Sequence, residues 1–461
     1  MSKGARRWGQ RLLIAVIALG SLWIIGKSWS YRRSRRAMAE IKKEIEAGRH
    51  STAARGLVAM LAERPDSDET AYLLGTCEKA TGRDRAAADA WKRVPPGSPF
   101  ALQAIQRLME LEIDSGRLAG AEQLIERAMD DPMIIDATAL PLYLGPSFWL
   151  QGRIDEAEQA IERRWDYLNG RDEGASEKAI DLVRLHVELR RSPLAVDMVR
   201  NSLEHAGQLA PDDDRVWLGK ANLAVRTGSY DEAERWLAAC RRRRPGDVSV
   251  WRARLRWAVA TNRVAEAREA CEHLPVEEMT PAQVPKLAAW LAGRRGDRES
   301  EQRALERVIA VDPADFAALD RLDELAGEQG QPGRAARLRE HRAEVDRLRA
   351  RYEKLYQRNQ PARDAAESGY LAERLGRRFE ARAFMTLAVA IDPDRADLRH
   401  NLAELDQHDR ISAEPGHTLA AALAAGSEPV SADPTPLHDF PPPRIAQPKE
   451  NAQQAPPTHP R

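Results

Sequence analysis

Residues 214–247 read DRVWLGKANLAVRTGSYDEAERWLAACRRRRPGD, and the same plan restarts in 34-residue blocks at Val248, Ala282 and Phe316. The fifteenth residue of each block is Gly228, Asn262, Gly296 or Gly330. Gly and Asn enter the left-handed backbone region at least cost, so these positions read as the stop of a first helix. Five residues later Ala233, Ala267 and Ala335 supply the small side chain needed where a second helix presses on the first, and Glu301 breaks that rule. Pro245 and Pro313 fall at block ends, where a proline closes one helix pair and opens the next. Trp217 and Trp251 hold the fourth position, large enough to fill the gap between neighbouring hairpins.

Moving outward, further blocks begin near Ser34, Asp68, Leu102, Thr138, Ser176 and Ala362, and Gly48, Gly82, Gly116, Gly152 and Gly376 mark five of their helix breaks. The block at Ser176 is the weakest, because Arg190 and Arg191 stand where its turn glycine should be. A 34-residue period with this residue order resembles the tetratricopeptide repeat (TPR) family. The stretches YLLGTCEKATGRDRAAADAWKRV (72–94), WLGKANLAVRTGSYDEAERWLAAC (217–240) and GYLAERLGRRFEARAFMTLAVAIDP (369–393) carry the resemblance. It implies an all-α, right-handed superhelical solenoid of about ten hairpins over residues 34–395, each burying its apolar face only against its neighbours. Residues 396–410, with Leu398, Leu402 and Leu405, read as a closing helix for the last hairpin.

Composition agrees. Aromatics are 5% and charged residues 31%, which suits an Ala- and Leu-packed array with solvated outer faces better than one deep core. Formal net charge is zero, so nothing global points to a nucleic-acid partner.

Leu12 to Gly26, LLIAVIALGSLWIIG, carries no charge, and Trp8, Trp23, Trp29 and Tyr31 lie near its ends, where aromatic rings favour a membrane interface. Arg11 and Lys27 can snorkel and lengthen the span, so residues 1–33 read as a basic terminus and single-pass anchor meeting the bilayer through residues 8–31. A cleaved signal peptide is the rival, but Lys27 and the cluster Arg32, Arg33, Arg35 and Arg36 are unusual after a cleavage site. Seven Lys or Arg from Lys27 to Lys43 outweigh Lys3, Arg6, Arg7 and Arg11, which favours repeats on the cytoplasmic side of the membrane over the extracytoplasmic one.

Catalytic patterns are missing. Gly20 to Ser28, GSLWIIGKS, has its first glycine one residue too early for a phosphate loop and sits in membrane-like sequence. There is no H-E-x-x-H, C-x-x-C or G-x-S-x-G. Cys271, Glu272 and His273 are helix neighbours that point apart, which argues against a metal site, and Cys77, Cys240 and Cys271 read as buried reduced thiols. No cofactor, metal or catalytic residue is expected.

In TPR hairpins the first helix lines a concave groove. The resemblance assigns to that groove Arg215, Asn222 and Arg226, then Arg252 and Arg256, then Lys286, Trp290 and Arg294, with Arg184 just before. This basic strip is loosely similar to the clamp by which some TPR proteins hold a partner's C-terminal carboxylate, although Leu218 stands where that clamp has Lys. Charge-assisted hydrogen bonds from Arg and Asn would orient a peptide there. Glu110, Asp114, Asp320, Glu324, Glu328, Glu367 and Glu373 make other stretches of the same face acidic.

Between the blocks at Phe316 and Ala362 the spacing grows to 46, and residues 333–358 read as one long helix. Leu338, Val345 and Tyr352 alternate there with His341, Leu348 and Leu355 at a seven-residue period, the pattern of a short self-association seam over 338–355. Residues 411–461 turn rich in Pro, Ala, Ser and Gln, with too few apolar side chains to offset ordering entropy, and are expected to be disordered. The reading is a membrane-anchored, non-catalytic scaffold binding protein or peptide partners. The alternatives are an enzyme or regulatory subunit with a site hidden in an atypical repeat such as that at Ser176, and an assembly factor for envelope or secretion machinery.

Overall fold

The computed structural model describes residues 35–130, 147–169, 177–191, 195–409 and 418–425. Among them every regular element is helical, apart from one isolated antiparallel bridge between Pro275 and Thr418. The chain divides into two compact units, Met1–Arg164 with Leu189–Pro245, and Trp165–Glu188 with Gly246–Arg461.

The local chemistry of a helical hairpin is clearest at Asp214–Thr227 and Tyr230–Arg243 in the first unit. The Asp213 carboxylate accepts the backbone N–H groups of Arg215 and Val216, satisfying donors that an uncapped helix start leaves orphaned. Gly228 ends the helix at φ 76°, and its N–H returns to the carbonyls of Ala224 and Val225. The other turn residues read from the sequence, among them Gly48, Gly82, Gly152, Gly296, Gly330, Gly376 and Asn262, all have positive φ. Gly116 has a second constraint, since a Cβ there would lie 2.6 Å from the Ala206 carbonyl oxygen.

Residues 35–46 and the helices His50–Glu63, Asp68–Ala80, Asp84–Trp91, Ala101–Asp114 and Leu118–Asp130 continue the pairing in the first unit. Trp91 is buried among Ala87, Ala104, Leu108 and Leu111, with its indole N–H on the Tyr72 carbonyl at 3.2 Å. A side chain of this size contributes about 3 kcal/mol on full burial. It needs Gly75 opposite, where a Cβ would come within 2.4 Å of the ring. Leu118 packs with Val199, Leu203, Ala206 and Val216, which joins Val196–Leu209 to the hairpin at Asp214. The block beginning at Thr138 lies partly outside the described residues, and residues 147–151 are helical.

The second unit pairs Val248–Ala260 with Val264–His273, Gln283–Arg295 with Arg298–Val311, Phe316–Glu328 with Pro332–Arg358, and Pro361–Arg374 with Arg378–Ile391. Ala396–Asp409 then packs on Arg378–Ile391, with Leu398 buried beside Met385 and Ala388.

Two expectations change. The seam over 338–355 is occupied within the unit itself. Leu338 packs on Leu319 and Leu322, while Val345, Tyr352 and Leu355 pack on Leu371 and Leu375, so its apolar side chains are not presented to a second copy. The tail expected to be disordered contains a helix, Leu419–Ala425, set against the helices Val264–His273 and Gln283–Arg295. The rest of 410–461 and the membrane span read at Leu12–Gly26 lie outside the described residues. Among the described residues no helix is long and apolar enough to cross a membrane.

Candidate functional site

The residues assigned to the groove fall into different environments. In the first unit Arg215 is 4% exposed and its guanidinium meets the Glu122 carboxylate, which also holds Arg153. Arg153 in turn lies 4.6 Å over the Phe148 ring and donates to the Gln151 side-chain carbonyl at 2.9 Å. Asn222 donates to the Gln151 backbone carbonyl at 2.8 Å, and Arg226 is exposed. In the second unit Arg252 is 2% exposed and donates to the Glu278 carbonyl at 2.7 Å and its carboxylate at 3.3 Å. Arg256 and Arg184 are half-buried, and Arg184 donates to the Asn359 side-chain carbonyl at 2.9 Å while pairing with Asp181. Arg215 and Arg252 therefore do not present open charge. Each sits near a carboxylate from a distant loop or helix, and burying a guanidinium without such a partner costs several kcal/mol.

Lys286, Trp290 and Arg294 do converge. They line one side of a cleft of about 490 Å³ in the second unit, formed by Gln283–Arg295, Arg298–Val311 and Phe316–Glu328. Its other sides bring in Arg298, Glu301, Asp315 and Arg321. The Lys286 ammonium pairs with Asp315 at 2.6 Å, and Asp315 also caps the next helix by accepting the Ala318 N–H at 2.8 Å. Glu301 holds Arg321 at 2.8 Å and Arg298 at 3.1 Å. Burial pushes the Glu301 carboxyl up, but the hydrogen bonds and charges of Arg321 and Arg298 outweigh it and hold the group below its ordinary value. Arg321 is held above its ordinary value, first by its hydrogen bond to Glu301.

Arg294 differs. Its guanidinium stands 5.9 Å from the centroid of the half-buried Trp290 ring, and among the described residues it makes no ion pair. Lys286, Arg298 and Arg321 are thus all paired, with Asp312, Glu324 and Glu328 joining Asp315 and Glu301, while Arg294 stands beside an aromatic wall and Ala289, Ala317 and Leu305. The chemistry available is recognition of a carboxylate next to an apolar side chain.

Sequence reasoning missed Arg298 and Arg321, yet Glu301 gave the signal. It breaks the small-residue rule because Gly293 on the first helix leaves room, a Cβ there lying 3.1 Å from the Glu301 carboxylate. A charged side chain at a position meant for alanine is a place to look for a buried or cleft-facing ion pair.

The weak block at Ser176 contributes His186 to a polar cluster built mainly from later helices. His186 Nδ1 lies 3.4 Å from the Glu380 carboxylate, which accepts the Tyr352 hydroxyl at 2.5 Å and an Arg377 N–H at 3.3 Å. Burial alone would raise the Glu380 carboxyl. Contacts from His186, Arg377 and Tyr352 bring it to about 2 instead. Exposures of 2% for His186, 0% for Glu380 and 3% for Tyr352 leave no room for a substrate, so this cluster braces the packing of Arg378–Ile391. Cys77, Cys240 and Cys271 are buried and unbridged, and burial pushes the Cys271 thiol up to about 11. His273 stacks on Trp251 at 3.9 Å, and among the described residues no cluster of His, Cys, Asp and Glu has a metal-binding arrangement.

Residues 199–257 match the tetratricopeptide repeat family model. No curated protein sequence matches the chain. Similar solved structures include the APC/C hetero-tetramer Cut9–Hcn1, at 11% identity over 84% of this chain and 94% of that one, with a TM-score of 0.30. The TPR domain of P58(IPK) is 13% identical over 82% of this chain and 98% of that one, with a TM-score of 0.23. A tetratricopeptide repeat protein from Parabacteroides merdae ATCC 43184 is 15% identical over 63% and 97%, with a TM-score of 0.25. The fold assignment rests on the helical hairpins of each unit and on the matched repeat, not on these overlays.

Proposed function

We propose that this chain is a non-catalytic adaptor that holds acidic peptide segments of protein partners in the cleft around Trp290. One observation carries the reading: Arg294, which makes no ion pair among the described residues, stands beside the half-buried Trp290 in a cleft lined also by Lys286, Arg298 and Arg321. Trp290 gives an apolar side chain a platform, while Arg294, already beside that ring, offers a guanidinium to a neighbouring carboxylate. The helical-hairpin repeat and the match over residues 199–257 support a protein-binding role of this kind. Arg215 and Arg252 serve the packing of their own units and are left out of the recognition surface.

The adaptor is proposed to be tethered through Leu12–Gly26, with its repeats on the cytoplasmic side. The uncharged span and the excess of Lys and Arg after it support this placement. Carbonate extraction of membranes tests the tether, which requires the full chain to stay in the pellet and a chain lacking residues 1–33 to leave it. A reporter joined after Arg461 tests the side.

For the cleft, an array of peptides that share one leucine and differ in net charge is the direct test. Wild-type protein should retain acidic peptides about tenfold better than basic ones, and Arg294→Glu should remove that preference, a difference of about 1.4 kcal/mol. Equal retention of acidic and basic peptides by the wild type would contradict the proposal.

A further inference from the structure

We infer that the junction between the helices Val264–His273 and Gln283–Arg295 is a docking site whose occupant is the chain's own segment Thr418–Ala425, held in cis as an exchangeable strap. The junction has the chemistry of an accept-only edge. Leu274 ends the helix Val264–His273 in an extended conformation at φ −101° and ψ 123°, and Pro275 follows with no N–H to donate. The Leu274 carbonyl, left without an intrahelical donor where the helix stops, accepts the Leu419 N–H at 2.8 Å. Thr418 and Pro275 form the antiparallel bridge.

Thr418 then turns the segment into a helix. Its hydroxyl faces the Ala421 N–H at 3.3 Å and its carbonyl accepts the Ala422 N–H at 3.0 Å, an N-cap arrangement. Leu419 is 0% exposed, while Ala420, Ala422 and Leu423 are half-buried and Thr418, Ala421 and Ala424 face solvent. One extended residue followed by an amphipathic turn combines strand addition with a helix laid on an apolar surface, two established ways of holding a peptide.

The helix Leu419–Ala425 has seven residues, well below the length at which a helix holds itself in water, so its order comes from the surface that receives it. A single fully buried side chain against the ordering of the whole segment makes that hold weak. Covalent attachment sustains it: eight residues of sequence separate the segment from the closing helix Ala396–Asp409, and a cis ligand needs no encounter with a second molecule. The helix Gln283–Arg295 bears both the strap and the cleft residues Lys286, Trp290 and Arg294. The strap nonetheless stands on its own contacts and does not depend on what the cleft binds.

The test uses the full chain and a fluorescein-labelled peptide of residues 414–427, EPGHTLAAALAAGS, read by fluorescence anisotropy. Wild-type protein, whose site is filled in cis, should bind the peptide weakly. Leu419→Asp in the full chain should empty the site and tighten peptide binding at least tenfold, while a peptide carrying the same change should not bind. Hydrogen exchange at the Leu419 amide supplies a readout that needs no variant, with protection in the wild type above that of the free peptide. Equal peptide affinity of wild type and Leu419→Asp, or an unprotected Leu419 amide, overturns the inference, and binding of two chains through swapped segments would appear as a concentration-dependent dimer that Leu419→Asp abolishes, overturning the cis assignment.

Discussion

Replacing Glu380 by Gln removes one negative charge from a buried polar cluster in the second unit and keeps nearly the same shape. The carboxylate is 0% exposed, accepts Tyr352 at 2.5 Å and Arg377 at 3.3 Å, and lies 3.4 Å from His186. Its folded-state value of about 2, against an ordinary 4.5, means that the native state prefers the ionised form. At 1.36 kcal/mol for each tenfold change in protonation, that preference corresponds to roughly 3 kcal/mol of stability at neutral pH. That is in line with the 3–5 kcal/mol typical of removing one member of a buried ion pair. The contribution is complete above the unfolded value of 4.5 and is lost as pH falls from about 4.5 toward 2. Urea unfolding followed by hydrogen exchange of peptides from residues 246–409 isolates this unit from the other. Glu380→Gln should lower its stability by about 3 kcal/mol at pH 7, and the gap should narrow below pH 4.5. A variant within about 0.5 kcal/mol of wild type at pH 7, or a gap that does not change on acidification, would mean that these contacts do not hold Glu380 ionised.

Other perturbations test separate parts of the account. Glu122→Ala leaves Arg153 and Arg215 buried without their shared anion and should destabilise the first unit by about 3–5 kcal/mol in the same exchange assay. Gly116→Val combines φ +71° with a Cβ 2.6 Å from the Ala206 carbonyl and should cost at least about 2 kcal/mol, read as a lower midpoint for the first unit. Arg252→Glu sets a second carboxylate against Glu278 and should lower the stability of the second unit rather than act as a clean probe of peptide binding.

Much of the backbone plan was legible because its signals are local. A glycine or asparagine that ends a helix needs only its own φ, and Gly228, Asn262 and Gly296 announce their turns without reference to anything distant. The site was less legible because burial of charge depends on partners far along the chain. Arg215 meets Glu122, 93 residues away, and Arg252 meets Glu278, 26 residues away. No pattern on the first helix of a hairpin reports whether a neighbour supplies that carboxylate. The seam at 338–355 misled for a related reason, since a seven-residue apolar period serves a helix packed against its own hairpin as well as one packed against another chain. Leu419–Ala425 was hidden in an Ala-rich tail because its stability comes from Leu274 and the neighbouring helices rather than from its own seven residues. Glu301 was visible as an exception to a rule, and its meaning emerged only with Arg298 and Arg321 beside it.

Site-specific photocrosslinking reads whether partners are gripped at the cleft around Trp290. A photoreactive residue placed at Ala317 of the full chain lines the cleft and leaves Trp290 and Arg294 in place, whereas one at Glu299, whose side chain is 85% exposed, faces solvent. With an acidic peptide from the array as the probe, crosslinks should form at 317 and be suppressed by excess unlabelled peptide, while 299 stays unlabelled. Labelling of equal strength at 299, or none at 317 under conditions where the peptide binds, would contradict this placement.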